Sequence, residues 1–333
     1  MTPRLVVYGD IVIDVLVQFQ AAPSVGHDVT ADHISLIPGG SAANCAVTAA
    51  RLGMPVDFVG VTGSDHLAQA LVDDLRVNSV GTRYLRQTEA PTAIIVDMVN
   101  ADGERTFYSF RGAITMVRYG AIPPELIGPQ DHLHVSAYTF QDECSRETAL
   151  ALMARARERG ATISLDPSVQ FAREVRDRPP DILADLDFIF PNSDEAGLMS
   201  GRDDPRQGAA AIRDLGPKTV VVKLGPRGCY IASDQEEYFV PAYPATEVVD
   251  TTGAGDAFCG GFLMACLHGL ELTEAARVGH AAAVHVIAQR GGHSASPTLD
   301  DVIRFVSQHG DEELASRICL LKGGELCDQN RFA

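Results

Sequence analysis

Short β-branched apolar runs alternate with Ala/Leu-rich stretches of helical spacing along most of this chain. "RLVVYGD" from Arg4, "VDFVGV" from Val56, "HLHVSA" from His132, "ATISLD" from Ala161, "LDFIFPN" from Leu186 and "TVVVKLG" from Thr219 are compact and apolar on both faces. That is the pattern of parallel strands covered by helices on either side. Between them, "SAANCAVTAARLG", "SRETALALMARARERG" and "GAAAIRDLG" have helical spacing and end in Gly, a common C-terminal stop. Strand followed by helix, repeated, predicts an α/β fold: a three-layer α/β/α sandwich around a mostly parallel central sheet.

Two segments break that rhythm. Residues 12–37 read as extended, with no helix signal. Residues 92–111, "TAIIVDMVNADGERTFYSFR", read as a hairpin turning at Asp-Gly. Both fit poorly inside a parallel sheet and predict a small β-sheet lid. The expected organisation is an α/β catalytic domain over 1–11, 38–91 and 112–310, the lid over 12–37 and 92–111, and a C-terminal surface tail over 311–333.

Composition narrows the function. The chain has 333 residues, 46% hydrophobic, with 27 Lys and Arg against 44 Asp and Glu for a formal charge of −17. Such an acidic surface repels phosphate backbones and anionic lipid, which argues against nucleic-acid and membrane-surface partners. An anionic ligand would have to be met locally, by backbone amides, a few basic side chains or a metal. The seven cysteines include no CxxC and lie mostly in apolar runs, which reads as reduced thiols in a cytoplasmic protein. No uninterrupted apolar run approaches the roughly 20 residues of a membrane span.

The candidate chemistry concentrates in "EVVDTTGAGDAFCGGF", from Glu247. A short β-prone run, a Gly-rich turn and a helical run place backbone amides and the positive end of a helix dipole at one spot, an anion site. Asp256 falls in the first helical turn. A carboxylate there repels a phosphate, so it is better explained as a general base that takes a hydroxyl proton while the amides hold the transferring group. The plainer alternative is an acidic residue that satisfies the helix dipole.

"DTTGAGDAFCGGF" resembles the C-terminal signature of the ribokinase/PfkB family of carbohydrate and nucleoside kinases. "PGGSAANCAVTAARLG", Pro38 to Gly53, resembles that family's GG-x-x-x-N motif, and Gly9–Asp10 with Asp14 fits as well. Motif order matches over about residues 5 to 305. The resemblance implies a ribokinase-like sandwich with a β-lid, ATP and Mg²⁺ as cofactors, and transfer of the γ-phosphoryl group to a primary hydroxyl of a small carbohydrate. Asp256 would be the base, with Gly253, Ala254 and Gly255 as the anion hole. Asp14, Gly39, Gly40 and Asn44 would hold sugar hydroxyls. "FPNSDEAGL" resembles the N-x-x-E motif: Asn192 would contact nucleotide phosphates and Glu195 would orient Mg²⁺ through water, the alternative being a helix-capping pair. "KLGPRGCYI" resembles the family's [KT]-x-G-x-x-G turn, giving Lys223, Gly225 and Gly228 as nucleotide contacts, or else a plain two-strand turn. Asp250 and Thr252 match positions that bind a monovalent cation, so K⁺ is a further expected ligand. Lid strands suggest a homodimer.

The acceptor is less legible. Arg111, at the end of the lid, suits recognition of a carboxylate or phosphate, as in a 2-keto-3-deoxygluconate-type acid sugar, or a lid ion pair. The Asp14, Gly39, Gly40 and Asn44 set asks only for hydroxyls, which favours a ribose- or ketohexose-like sugar, with nucleosides next. A Rossmann oxidoreductase would need G-x-G-x-x-G after the first strand, where "VVYGDIVIDV" has one Gly. A sugar binder without catalysis would not need Asp256.

Overall fold

The computed structural model describes residues 3–22, 24–101, 105–118, 120 and 123–322. Its strands are β1 (Leu5–Tyr8), β2 (Val12–Gln18), β3 (His33–Gly39), β4 (Val56–Thr62), β5 (Gly81–Gln87), β6 (Ile94–Val99), β7 (Arg105–Phe110), β8 (His132–Ser136), β9 (Thr162–Asp166), β10 (Phe188–Ile189), β11 (Thr219–Lys223), β12 (Cys229–Ala232) and β13 (Glu237–Val240). Its helices are α1 (Ser41–Arg51), α2 (His66–Val77), α3 (Glu143–Arg159), α4 (Val169–Asp177), α5 (Ser193–Ser200), α6 (Pro205–Arg213), α7 (Ala254–Leu267), α8 (Leu272–Ile287), α9 (Leu299–Gln308) and α10 (Glu312–Leu320).

Among the described residues the main sheet has nine strands in the order β13-β12-β11-β10-β9-β8-β1-β4-β5. The seven strands from β11 to β5 are parallel, and β12 and β13 extend one edge antiparallel. β1 shows why the strand pattern was legible. Leu5 and Val7 enter the core that includes α1, α7 and α8, while Val6 and Tyr8 enter the opposite core with α3 and α4. Both faces are therefore covered, as an α/β/α sandwich requires, and each fully buried Leu or Phe adds about 1.5–3 kcal/mol of transfer stabilisation.

A second sheet has the order β3-β2-β6-β7. Its centre pairs β2 parallel to β6, with Asp14 opposite Ile95 and Leu16 opposite Asp97. β3 and β7 join antiparallel at the edges. The Asp-Gly turn expected within residues 102–104 lies outside the described residues, but the two strands it should join are β6 and β7.

The reading from sequence left α2 and β5 unassigned. β5 is the sheet's outer strand, and of its seven residues only Tyr84 is buried, so polar positions masked it. The segment from residue 311 was expected to be a surface tail. Up to Leu320 it is a helix instead, with Leu314, Ala315 and Ile318 buried in the core; residues 323–333 lie outside the described residues. Cys45, Cys144, Cys229, Cys259 and Cys266 are free thiols, whereas Cys319 is disulfide-bonded, contrary to the expectation of reduced cysteines throughout. No helix among the described residues is long and apolar enough to cross a membrane.

Candidate active site

β1 is hydrogen-bonded to β4 on one side and to β8 on the other, so the chain's direction of travel across the sheet reverses there. Beyond the carboxyl ends of strands at such a switch point, the loops diverge and leave a crevice. A cavity of about 740 Å³ occupies it, between that edge and the inner face of the small sheet. Asp10 follows β1, Asp166 ends β9, Asn192 follows β10 and Lys223 ends β11, and all four line this cavity.

α7 enters the cavity wall by its N-terminus. Its cap, Gly253, has φ 77°, and a Cβ there would fall 2.0 Å from the Gly292 carbonyl oxygen, so only glycine fits. Asp256 sits in the first turn. Its Oδ1 accepts from Ser41 Oγ at 2.9 Å and its Oδ2 from Asn44 Nδ2 at 2.8 Å. Burial, then the nearby Asp166 carboxylate, push its pKa up to about 7 against the pull of those bonds. A carboxylate poised near neutrality beside a helix N-terminus has the properties of a general base. Gly253 and Gly255 line the cavity; the Ala254 amide is turned toward the Thr251 carbonyl at 3.3 Å.

The GG-x-x-x-N segment forms the opposite wall. Asp10 accepts from the Ser41 amide at 2.8 Å, the Ala42 amide at 3.4 Å and Ser136 Oγ at 3.0 Å. It thereby caps α1, whose own N-cap residue, Gly40, has no side chain to do so. Gly39 lies so close to Asp14 that a Cβ would come within 2.1 Å of its Oδ2. Burial, then Asp10 and Asp97, push Asp14 up to about 7. Asp14, Gly40 and Asn44 line the cavity, as do Leu16, Ile95, Asp97 and Phe107 from the lid.

After β10, Asn192 and Glu195 form a reciprocal capping box on α5. The Glu195 amide donates to Asn192 Oδ1 and the Asn192 amide to Glu195 Oε2, both at 2.9 Å. The capping alternative is thus what the structure contains, although both residues also line the cavity. Burial, then Asp166, push Glu195 up to about 7. Lys223 Nζ contacts Asp166 Oδ1 at 2.7 Å; the Asp166 side chain is buried and that of Lys223 largely so. Burial opposes the ammonium charge, but Asp166 outweighs it and holds Lys223 above the usual lysine range. Gly225 lines the cavity in the turn between β11 and β12, whereas Gly228 lies against the backbone of Val240–Ala242.

Asp250 ties the α7 turn together: Oδ1 accepts from the Thr252 amide at 2.8 Å and Oδ2 from the Gly291 amide at 3.2 Å. Arg111 reaches the cavity, but its guanidinium is engaged. It pairs with Asp142 at 2.6 Å and donates to the Tyr138 carbonyl at 3.0 Å. Of the two readings the sequence left open for Arg111, the ion pair is what the structure contains, although the residue also lines the cavity. His280 is buried against the Phe258 ring, and His285, half-buried, packs on Phe305.

Sequence reasoning missed Asp166, Asp97 and His293. Asp166 closes a predicted strand at its carboxyl end, where ligand-binding side chains gather, and could have been flagged on that ground. Asp97 is the lone charge in "AIIVDMV". His293 carried no signal, because only the path of the loop after α8 brings it to Asn44.

Comparison with known proteins identifies the family. The description "pfkB family carbohydrate kinase" matches residues 2–299. Aminoimidazole riboside kinase of Salmonella typhimurium is 30% identical over 285 residues, covering 82% of this chain and 88% of that protein. Fructokinase of Klebsiella pneumoniae is 31% identical over 272 residues, covering 79% and 84%. Among solved structures, Arabidopsis thaliana ribokinase complexed with ribose and ATP superposes with a TM-score of 0.80 at 25% identity, over 92% of this chain and 99% of that one. The cavity at the carboxyl edge of the sheet and a match over nearly the whole sequence lead to one assignment: the chain belongs to the pfkB family of carbohydrate kinases and is an ATP-dependent phosphotransferase acting on an alcohol group.

Proposed function

We propose that this kinase transfers the ATP γ-phosphoryl group to a primary hydroxyl of a neutral sugar, ribose- or ketohexose-like, with Asp256 as general base. The observation that carries this reading is the position of Asp256: in the first turn of α7, both oxygens held, facing a cavity bounded by hydroxyl-binding groups. Asp14 and Asn44 orient the sugar. Asp256 takes the hydroxyl proton as the oxygen attacks phosphorus in line, and amides of the Gly253–Gly255 turn meet the charge on the transferring group. Asn192, Lys223 and Gly225 flank the nucleotide phosphates, and Gly228 shapes their turn.

Glu195 fits Mg²⁺, which binds through one or two carboxylates together with phosphate oxygens and water. When bound, the ion would neutralise phosphate charge. Asp250 and Thr252 would hold K⁺ behind the anion site. Closure of the lid excludes water that would otherwise hydrolyse ATP. Residues 1–11, 38–91 and 112–310 then act as the catalytic body and 12–37 with 92–111 as the lid. Exposed Ile34, Leu36 and Tyr108 on the lid's outer face support pairing with a second copy of the chain.

A neutral acceptor is favoured over an acid sugar because Arg111 is neutralised by Asp142 while Asp14 and Asp97 line the same end. The test is ADP release from ATP with ribose, fructose, a nucleoside, 2-keto-3-deoxygluconate and fructose 6-phosphate. A neutral sugar should give the highest kcat/KM. No acceptor raising ADP above the ATP-only background, or an anionic sugar being preferred, would overturn the reading.

A further inference from the structure

The cavity floor carries a chain of hydrogen bonds that reaches the protein surface. Asn44 Nδ2 donates to Asp256 Oδ2 at 2.8 Å, Asn44 Oδ1 meets His293 Nδ1 at 2.7 Å, and His293 Nε2 meets Asp74 Oδ2 at 2.8 Å. The four residues come from α7, α1, the loop after α8, and α2. The chain's ends fix the direction of each bond. An ionised Asp256 can only accept, so Asn44 must turn its NH₂ toward it. The Asn44 carbonyl then faces His293 and can only accept, which requires a proton on Nδ1. The contact with Asp74 needs a second proton, on Nε2 or on the carboxyl group. A ring protonated on Nε2 alone cannot complete the chain.

Packing leaves the ring and the amide little freedom. The His293 side chain is 4% exposed, whereas that of Asp74 is 24% exposed and connects the chain to solvent. Gly292 lies flat on Asn44, where a Cβ would fall 2.4 Å from Nδ2. The His293 carbonyl accepts from the Ser296 amide at 2.9 Å, and Ser296 Oγ shares a 2.8 Å bond with Thr48 Oγ1 on α1.

We propose that His293, anchored by Asp74, is a positioning residue for phosphoryl transfer: it locks the Asn44 amide with its NH₂ toward Asp256 and so fixes the orientation of the base. This rests on the reading of Asp256 as base. Without a donor at Nδ1 the Asn44 carbonyl loses its partner. The amide is then free to flip and set that carbonyl against the carboxylate, misaligning the proton acceptor.

Two substitutions separate this role from simple packing. His293→Asn keeps an N–H near the place of Nδ1–H but falls short of Asp74; His293→Gln reaches toward Asp74 and leaves Asn44 without its donor. With the best acceptor, His293→Asn should keep kcat within about threefold of wild type, while His293→Gln loses about 10–100-fold in kcat with the KM for ATP changed less than about threefold. Added to Asp256→Asn, His293→Gln should alter the residual rate less than about twofold, because no base remains to be positioned. A folded His293→Gln enzyme with wild-type kcat overturns the proposal, as does a folded His293→Asn enzyme as slow as His293→Gln. Imidazole ¹⁵N NMR of the wild-type protein provides a readout that needs no variant to fold: Nδ1 should be protonated, and a ring protonated on Nε2 alone overturns the proposal. Should Asp256→Asn itself keep the wild-type rate, the reading of the base fails; should it be inactive while His293→Gln is not, only the present inference fails.

Discussion

The two ends of the cavity are built differently. At the α7 end, atoms are held by backbone contacts that leave no slack. Gly253 is pressed on Gly292, Asp250 bonds the Thr252 and Gly291 amides, and both Asp256 oxygens have donors. At the lid end, the cavity is faced by side chains from a separate four-stranded sheet, among them Asp14, Leu16, Asp97 and Phe107. Phe107 there is 56% exposed. The contrast indicates how one fold can keep its chemistry while changing its acceptor. On the proposed reading, transfer rests on backbone geometry, which tolerates few substitutions, and selection on side chains of strands, which can be exchanged singly.

The sharpest way to break the comparison is at the rigid end. Gly253→Ala adds a methyl group at φ 77° that would meet the Gly292 carbonyl at 2.0 Å, so the α7 turn must move. Loss of the aligned amides should lower kcat by about 10²–10³-fold with acceptor KM little changed, as steady-state kinetics would measure. A smaller effect is expected at the lid. Asp14→Asn and Asp97→Asn each weaken hydrogen bonds to a charged acceptor, worth about 1.5–3 kcal/mol, and should raise the acceptor KM by about 10–100-fold while kcat changes less. If Gly253→Ala acted through KM, or Asp97→Asn through kcat alone, the division between the ends would fail.

The mildest test uses pH. Asp14, Glu195 and Asp256 are each pushed up to about 7, first by burial, whereas the same groups ionise near 4 in the unfolded chain. Between about pH 4 and 7 the folded protein therefore binds more protons than the unfolded one, so these groups make stability fall as pH rises through that window. Melting temperature of the ligand-free enzyme should show this fall, and it should be shallower in Asp256→Asn. An unchanged slope in that variant would mean the base is not buried in ionisable form. In catalysis the sign is opposite: kcat/KM should drop as pH falls below about 7, when Asp256 becomes protonated.

Much of this was legible in the chain because it is encoded locally. Strands buried on both faces, such as Leu5–Tyr8, show as continuous apolar runs, and the Gly-rich turn before Asp256 shows as a motif. Edge strand β5 did not, since one buried tyrosine among polar neighbours carries no period. Helix α10 was read as tail although Leu314 and Ile318 complete the core. The site residues that escaped are those defined by partners far away in sequence. His293 meets Asn44 from 249 positions away. Arg111 was open to two readings, an anion contact or a lid ion pair, because its partner Asp142 lies 31 positions away. Asn192 and Glu195 satisfy a local capping rule and a functional motif at once, so the sequence alone left both readings open.

The central claim is that Asp256 supplies the base while the lid supplies selection. It is tested most directly by comparing Asp256→Asn with Asp14→Asn, using acceptor-dependent ADP formation with the best neutral sugar. Asp256→Asn should lose about 10³-fold or more in kcat, with acceptor KM within about threefold of wild type, while Asp14→Asn should lose mainly through KM. A folded Asp256→Asn enzyme that turns over within about tenfold of wild type would contradict the account, because general-base catalysis is worth at least about 10²-fold.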